Sequence, residues 1–297
     1  MSVKTKSRPE KTALYRFFHA ARGDSPFKRL LIHLALIISC VIAVYPVLRV
    51  LSVSLRPGDR LLSTSLAIIP QDASLENYVR LLTEKDFLLW IWNSLIITMA
   101  TAIIGVILAA TSAYAFSRWR FPGRGPALVF LLTTQMIPAA MLMVPIYIMA
   151  ARLRLINTYI GLTIAYCVSS VPFSIWILKG YYDTIPIDLE EAAEIDGCSK
   201  ISAFLRVLLP LSTPALAIVF LFNFMSAWND FLLARIMLQR EEMLTWTLGL
   251  QRLQHQFQTQ WGMFSAGSIL VMVPVMTLFL YSSKWLISGL TLGSVKG

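Results

Sequence analysis

The densest set of chemically capable side chains lies at Glu190, Glu191, Ala192, Ala193, Glu194, Ile195, Asp196 and Gly197, followed thirteen residues later by Pro210 in Val-Leu-Leu-Pro. Carboxylates so clustered could serve acid/base catalysis, which needs a base positioned at a reacting atom, or docking, which needs a rigid exposed helix. The spacing points to docking. Pro186 and Asp188 favour a helix start, acidic side chains in the first turn suit the positive dipole end, and Gly197 can take the left-handed conformation that stops the helix. A second short helix is expected from about Lys200, leading through Phe204 and Val207 to Pro210. Composition alone would fit a plain solvated loop. The chain also carries the complete pattern Glu-Ala-Ala, three residues, Gly, nine residues, an aliphatic, one residue and Leu-Pro, and a short helix so bounded can dock in a groove on another protein.

Catalysis on the chain itself finds no support. There is no Gly-x-x-x-x-Gly-Lys-Ser/Thr stretch to cradle phosphate, so no P-loop is expected on this chain. His19, His33 and His255 are far apart, there is no His-Glu-x-x-His, and no apolar stretch pairs carboxylates for acid/base work. A membrane-embedded hydrolase would need such pairs, and an ion-coupled secondary carrier would need acidic side chains in mid-span. Cys40 and Cys167 lie in apolar stretches and Cys198 in the acidic loop, so no pair is placed for a structural disulfide.

These groups must be positioned by a membrane scaffold. The 297 residues are 57% hydrophobic and only 14% charged, well below the charge of a soluble domain. Six stretches lack Asp, Glu, Lys and Arg: 31–48, 88–117, 125–151, 155–178, 207–229 and 259–283. Most exceed the roughly 20 residues needed to cross a hydrocarbon core, and a helix satisfies its backbone groups internally. The expected fold is an all-α integral membrane protein with six transmembrane helices. Eight of the 26 Lys and Arg fall in residues 4–29, and Arg118, Arg120 and Arg124 crowd one short loop, so both termini are expected in the cytoplasm. The net charge of +10 thus reads as an orientation signal, with no nucleic acid implied.

The expected organisation is a basic cytoplasmic tail (1–29), a first transmembrane helix (30–53), an extracytoplasmic segment (54–88) with one short amphipathic helix, a transmembrane core (89–287) holding the acidic loop 179–210, and a cytoplasmic tail (288–297). Pro138, Pro145, Pro172, Pro214 and Pro274 lie within spans and are expected to bend them.

The acidic-loop pattern resembles the coupling-helix signature of ABC importer permeases, and the likeness covers nearly the whole chain. Trp92-Asn93-Ser94, the stretch AYAFSRWRFPGR (113–124) and the run QMIPAAMLMVPIYIMARLRLINTYIGL (135–161) are similar to the carbohydrate-uptake branch. The end, SGLTLGSVKG (288–297), looks like that of the smaller, MalG-like permease of maltose importers, whereas SAWNDFL (226–232) follows the broader sugar-permease pattern.

This resemblance implies a type I permease fold in the bacterial cytoplasmic (inner) membrane, surrounded by lipid. It implies as partners a second permease subunit, an ATPase dimer carrying ATP and Mg, and an extracytoplasmic sugar-binding protein. No cofactor belongs to this chain. Glu190, Glu191, Ala192, Ala193, Asp196, Gly197 and Pro210 would couple it to the ATPase, with Gly197 least replaceable because a side chain there would strain the turn and clash with the partner. Asn93, Asn223, Trp228, Asn229 and Asp230 are candidates for the translocation path, although Asp230 could equally be an interfacial cap. Leu253, Gln254, His255, Gln256, Phe257 and Gln258 are candidates for contact with the binding protein. The substrate would be a sugar, with maltose or maltodextrin first and other oligosaccharides as alternatives, moved by alternating access.

Overall fold

A backbone in lipid has no water to bond, so apolar stretches fold as helices. The computed structural model describes residues 25–59, 69–254 and 259–292, and among them there is no strand. Helix α1 (Pro26–Ser54) opens with the Ser25 hydroxyl accepting from the Lys28 amide and with Pro26 in its first turn, where a missing N–H costs nothing. Then come α2 (Glu76–Glu84), the short helix expected in the segment 54–88, and α3 (Phe87–Arg118), α4 (Arg124–Thr134), α5 (Ala139–Arg152) and α6 (Tyr159–Tyr182). Thr158 caps α6 by accepting from the Gly161 amide.

The acidic loop forms α7 (Asp188–Ile195) and α8 (Lys200–Ala203), followed by a wide π turn at Phe204–Leu208 and by α9 (Leu209–Leu211). The remaining helices are α10 (Thr213–Trp228), α11 (Leu232–Met237), α12 (Trp246–Gln251) and α13 (Trp261–Leu292). The segment between α10 and α13 thus contains two short helices, α11 and α12.

Two expected spans are not continuous. The stretch 125–151 is broken between Thr134 and Ala139, where α4 and α5 meet at 103°. Pro138 supplies no amide hydrogen and restricts the residue before it, so the helix stops and restarts. The stretch 207–229 belongs to a second broken pair, Lys200–Leu211 and Thr213–Trp228, bent by 80° at Ser212 between Pro210 and Pro214. Among the described residues four helices can cross a membrane by length and composition, or up to six if each bent pair counts as one span. Pro46, Pro145, Pro172 and Pro274 lie inside their helices without ending them.

Helix α3 is the centre of the packing, in contact with α6 and α10 along its length. Its buried face carries Ala102, Gly105, Ala109 and Ala113, the small residues that let backbones approach where lipid supplies no hydrophobic drive. A Cβ on Gly105 would come within 2.7 Å of Asn223 Nδ2 on α10. One core surrounds the Phe87 end of α3, with Trp90, Phe224, Trp228 and Met237; a second surrounds the Arg118 end, with Tyr114, Leu178, Tyr182 and Leu208. Helix α1 packs on α13 and keeps its apolar middle exposed.

Candidate functional site

Acidic Asp188, Glu190 and Glu191 fill the first turn of α7, beside its free amides. At its other end Gly197 takes φ +90°, with its amide donating to the Glu194 carbonyl (3.0 Å) and the Cys198 amide to the Ala193 carbonyl (2.9 Å). This bond pair is the Schellman stop, in which a left-handed residue closes the helix. Nothing within the chain lies within 4 Å of where a Gly197 side chain would start. The expected penalty on replacement is therefore conformational as far as this chain is concerned. Glu191, Ala192 and Asp196 are exposed, Ala193 is partly buried, and Ile187, Ile195 and Ile201 stand open to the surroundings, Ile195 at 87%. Pro210 is exposed and starts the bend into α10.

Glu190 differs from its neighbours. Its side chain is 5% exposed and pairs with Arg118, itself 9% exposed, at the end of α3. Arg118 Nε donates to Glu190 Oε1 (2.6 Å), Nη2 to the Ile185 carbonyl (3.0 Å) and Nη1 to Ser117 Oγ (3.3 Å). Ser117 Oγ donates to Asp183 Oδ1 (2.7 Å), and Lys179 donates to the other Asp183 oxygen. Burial pushes the Asp183 carboxyl up, but the bonds from Lys179 and Ser117 outweigh it and hold its pKa below the usual value. A planar guanidinium can satisfy several acceptors at once, so one side chain fixes both the loop before α7 and its first turn. Charge counting at the sequence level placed Arg118 among orientation signals. The signal available for its other role was the Ser-Arg step within AYAFSRWRFPGR.

The candidate path residues lie mostly inside the chain's own packing. Asn93 is 1% exposed; its Nδ2 donates to the carbonyls of Glu242 (2.9 Å) and Leu244 (3.0 Å), and its Oδ1 accepts from the Tyr159 hydroxyl (2.8 Å). With both amide atoms occupied, Asn93 fastens the segment before α12 to α3. Next to it, Ser94 Oγ accepts from the Trp246 amide (2.8 Å). Asn223 is fully buried, its Oδ1 accepting from Ser174 Oγ (3.0 Å) while Nδ2 has no partner among the described residues. Trp228 is buried and stacked on Phe224 at 5.4 Å. All three are thus buried within the chain's own packing.

Asn229 is exposed and bonds back to the Met225 carbonyl. Asp230 accepts from the Tyr166 hydroxyl (3.0 Å) and the Ala234 amide (3.1 Å), so its carboxylate satisfies an amide in the first turn of α11.

In the outer-loop set, Leu253 is 2% exposed within the core, because its carbonyl accepts from the Gln260 amide (3.0 Å) and closes the loop's base. Gln254 is exposed and borders a cleft of about 350 Å³ with Trp246, Gln251, Phe264 and Ser268. His255, Gln256, Phe257 and Gln258 lie outside the described residues. A larger cavity of about 590 Å³, not foreseen, opens at the break between α4 and α5 and is lined by Thr134, Gln135, Met136, Ser169 and Pro172 among others.

Residues 101–291, which include α7, its Gly197 stop, Pro210 and the paired Arg118, match the family described as binding-protein-dependent transport system inner membrane component. The chain belongs to this family. It is therefore an inner-membrane transport component, and the coupling-helix pattern is typical of such chains. Among curated relatives it is 38% identical over 289 residues to the maltose/maltodextrin permease MalG of Salmonella typhimurium (91% of this chain, 96% of that one). It is 34% identical to the maltodextrin permease MdxG of Bacillus subtilis (89% and 95%) and 36% identical to the galactooligosaccharide permease GanQ of the same organism (89% and 94%). A bacterial ABC transporter involved in alginate import contains a chain that superposes with a TM-score of 0.78 at 23% identity, covering 90% of this chain and 100% of that one. This likeness is one of fold.

Proposed function

We propose that the chain is the permease subunit of an ATP-driven sugar importer, taking maltose, maltodextrin or a related oligosaccharide. The observation that carries this reading is α7: a short helix stopped by a left-handed glycine, anchored beneath by Arg118, and open on its other face. Each bent pair counts as one span in this reading, giving six, with both termini and α7 on the cytoplasmic side and α11 and α12 outside.

Two ATPase subunits, which hold ATP and Mg, close and draw α7 together with its counterpart on a second permease. The path then opens outward to a docked sugar-binding protein, and hydrolysis returns it inward. The contact with that binding protein is assigned to the loop that includes Gln254 and residues 255–258.

The reading is tested by purifying the chain with its partners, reconstituting them in vesicles and following uptake of labelled maltose, maltotriose and a galactooligosaccharide. Uptake should require ATP on the α7 side and the binding protein on the other. Uptake driven by an ion gradient without ATP would overturn it. Competition among the three sugars ranks maltodextrin against galactooligosaccharide, the alternative that the GanQ likeness keeps in view.

A further inference from the structure

Two structural routes lead away from α7, and they differ in stiffness. The covalent route toward α10 passes the left-handed Gly197, the π turn at Phe204–Leu208 and the 80° bend at Ser212. Each is a place where a helix yields. The other route crosses the buried Arg118–Glu190 pair into α3. Helix α3 has 32 residues and no proline, whereas the long apolar helices α1, α6 and α13 contain Pro46, Pro172 and Pro274. At about 1.5 Å per residue α3 is roughly 48 Å long, more than a hydrocarbon core.

The two ends of α3 are fastened alike. At the Arg118 end the guanidinium grips Glu190 and the Ile185 carbonyl, 72 and 67 positions away in sequence. At the other end Asn93 and Ser94 grip the Glu242 and Leu244 carbonyls and the Trp246 amide, 149 to 152 positions away. Tyr159 holds the Asn93 oxygen and so leaves the amide no alternative orientation. Between the ends, the small-residue face keeps α3 in close contact with α6 and α10.

We propose that α3 is the rigid connection through which movement of α7 reaches the segment from Glu241 to Gln251, with Arg118, Asn93 and Ser94 as positioning residues at its two ends. The inference rests on the coupling role assigned to α7. Because continuity in space is not itself coupling, the test is a double-mutant cycle on function. The intact complex is assembled with its ATPase and binding protein, and ATPase activity is measured with and without maltose-loaded binding protein.

Arg118→Lys keeps the charge but cannot fork to both the Glu190 carboxylate and the Ile185 carbonyl; Ser94→Ala removes one bond at the far end. Each should lower the stimulated-to-basal ratio, by roughly 2- to 30-fold for an element on the coupling route, and the double variant should be no worse than the weaker single. Full stimulation in either assembled variant, or losses that multiply, would overturn the proposal. Ser117→Ala, which loses the bond it donates to Asp183 and the one it accepts from Arg118 Nη1, repeats the inner arm if Arg118→Lys does not assemble. A wild-type complex without stimulation would instead overturn the importer reading, so the two failures are distinct.

Discussion

Glu190 and Glu191 are neighbours in sequence and opposites in surroundings, the first buried against Arg118 and the second exposed on the free face of α7. Removing one partner of a buried ion pair strands the other charge and is destabilising by about 3–5 kcal/mol, while exposed substitutions usually stay within about 0.5 kcal/mol. Glu190→Gln should therefore lower the thermal unfolding temperature of the purified complex strongly, and Glu191→Gln should leave it nearly unchanged while weakening ATPase retention. Equal shifts in unfolding would contradict the division of labour. The motif announced both carboxylates as coupling residues but could not tell which faces inward. That distinction depends on Arg118, whose side chain reaches α7 only once α3 and α6 have packed.

At the scale of elements, the close approach of α3 and α10 at Gly105 sets a second prediction. Gly105→Ala would push a methyl into Asn223 and should destabilise by about 1–3 kcal/mol, as overpacked cores do. Asn223→Ala removes the obstacle along with an amide nitrogen that lacks a partner among the described residues. In thermal unfolding the double variant should lose less than the sum of the two singles, the coupling expected of residues in contact; strict additivity would contradict this packing. A third prediction concerns the loop closed by Leu253 and Gln260. Replacing residues 255–258 by an equally long Gly-Ser segment, with Leu253 left in its core position, should impair sugar uptake without loss of assembly. Normal uptake would remove this loop from the contact with the binding protein.

The same elements show what the sequence made legible. Charge-free stretches located the long helices, and Pro186, Asp188 and Gly197 marked α7, because these signals act within a few residues. The breaks at Pro138 and Ser212 were not separable from the tolerated Pro145 and Pro172, since a buried proline ends a helix or bends it according to its neighbours. Asn93, Asn223 and Trp228 have the right chemistry for a sugar path, yet their partners Glu242, Ser174 and Phe224 come from folding. Only packing decides whether an amide serves a ligand or its own backbone.

For the whole molecule, the central claim is that this inner-membrane chain works as one part of an assembly, with α7 as the point of attachment to the ATPase. The exposed middle of α1 and the open face of α7 leave apolar surface for lipid and partner chains. The most direct test is to purify the tagged chain in mild detergent from its native host and identify what accompanies it, comparing wild type with Gly197→Asp. A side chain at φ +90° strains the stop of α7 by about 1 kcal/mol or more and, where the chain itself leaves open space, would meet the partner in the proposed assembly. The wild type should bring a second permease and an ATPase, and the variant should keep the permease but lose the ATPase. A native chain recovered alone, or a variant that retains every partner and full sugar uptake, would contradict the assignment of α7 as the coupling helix.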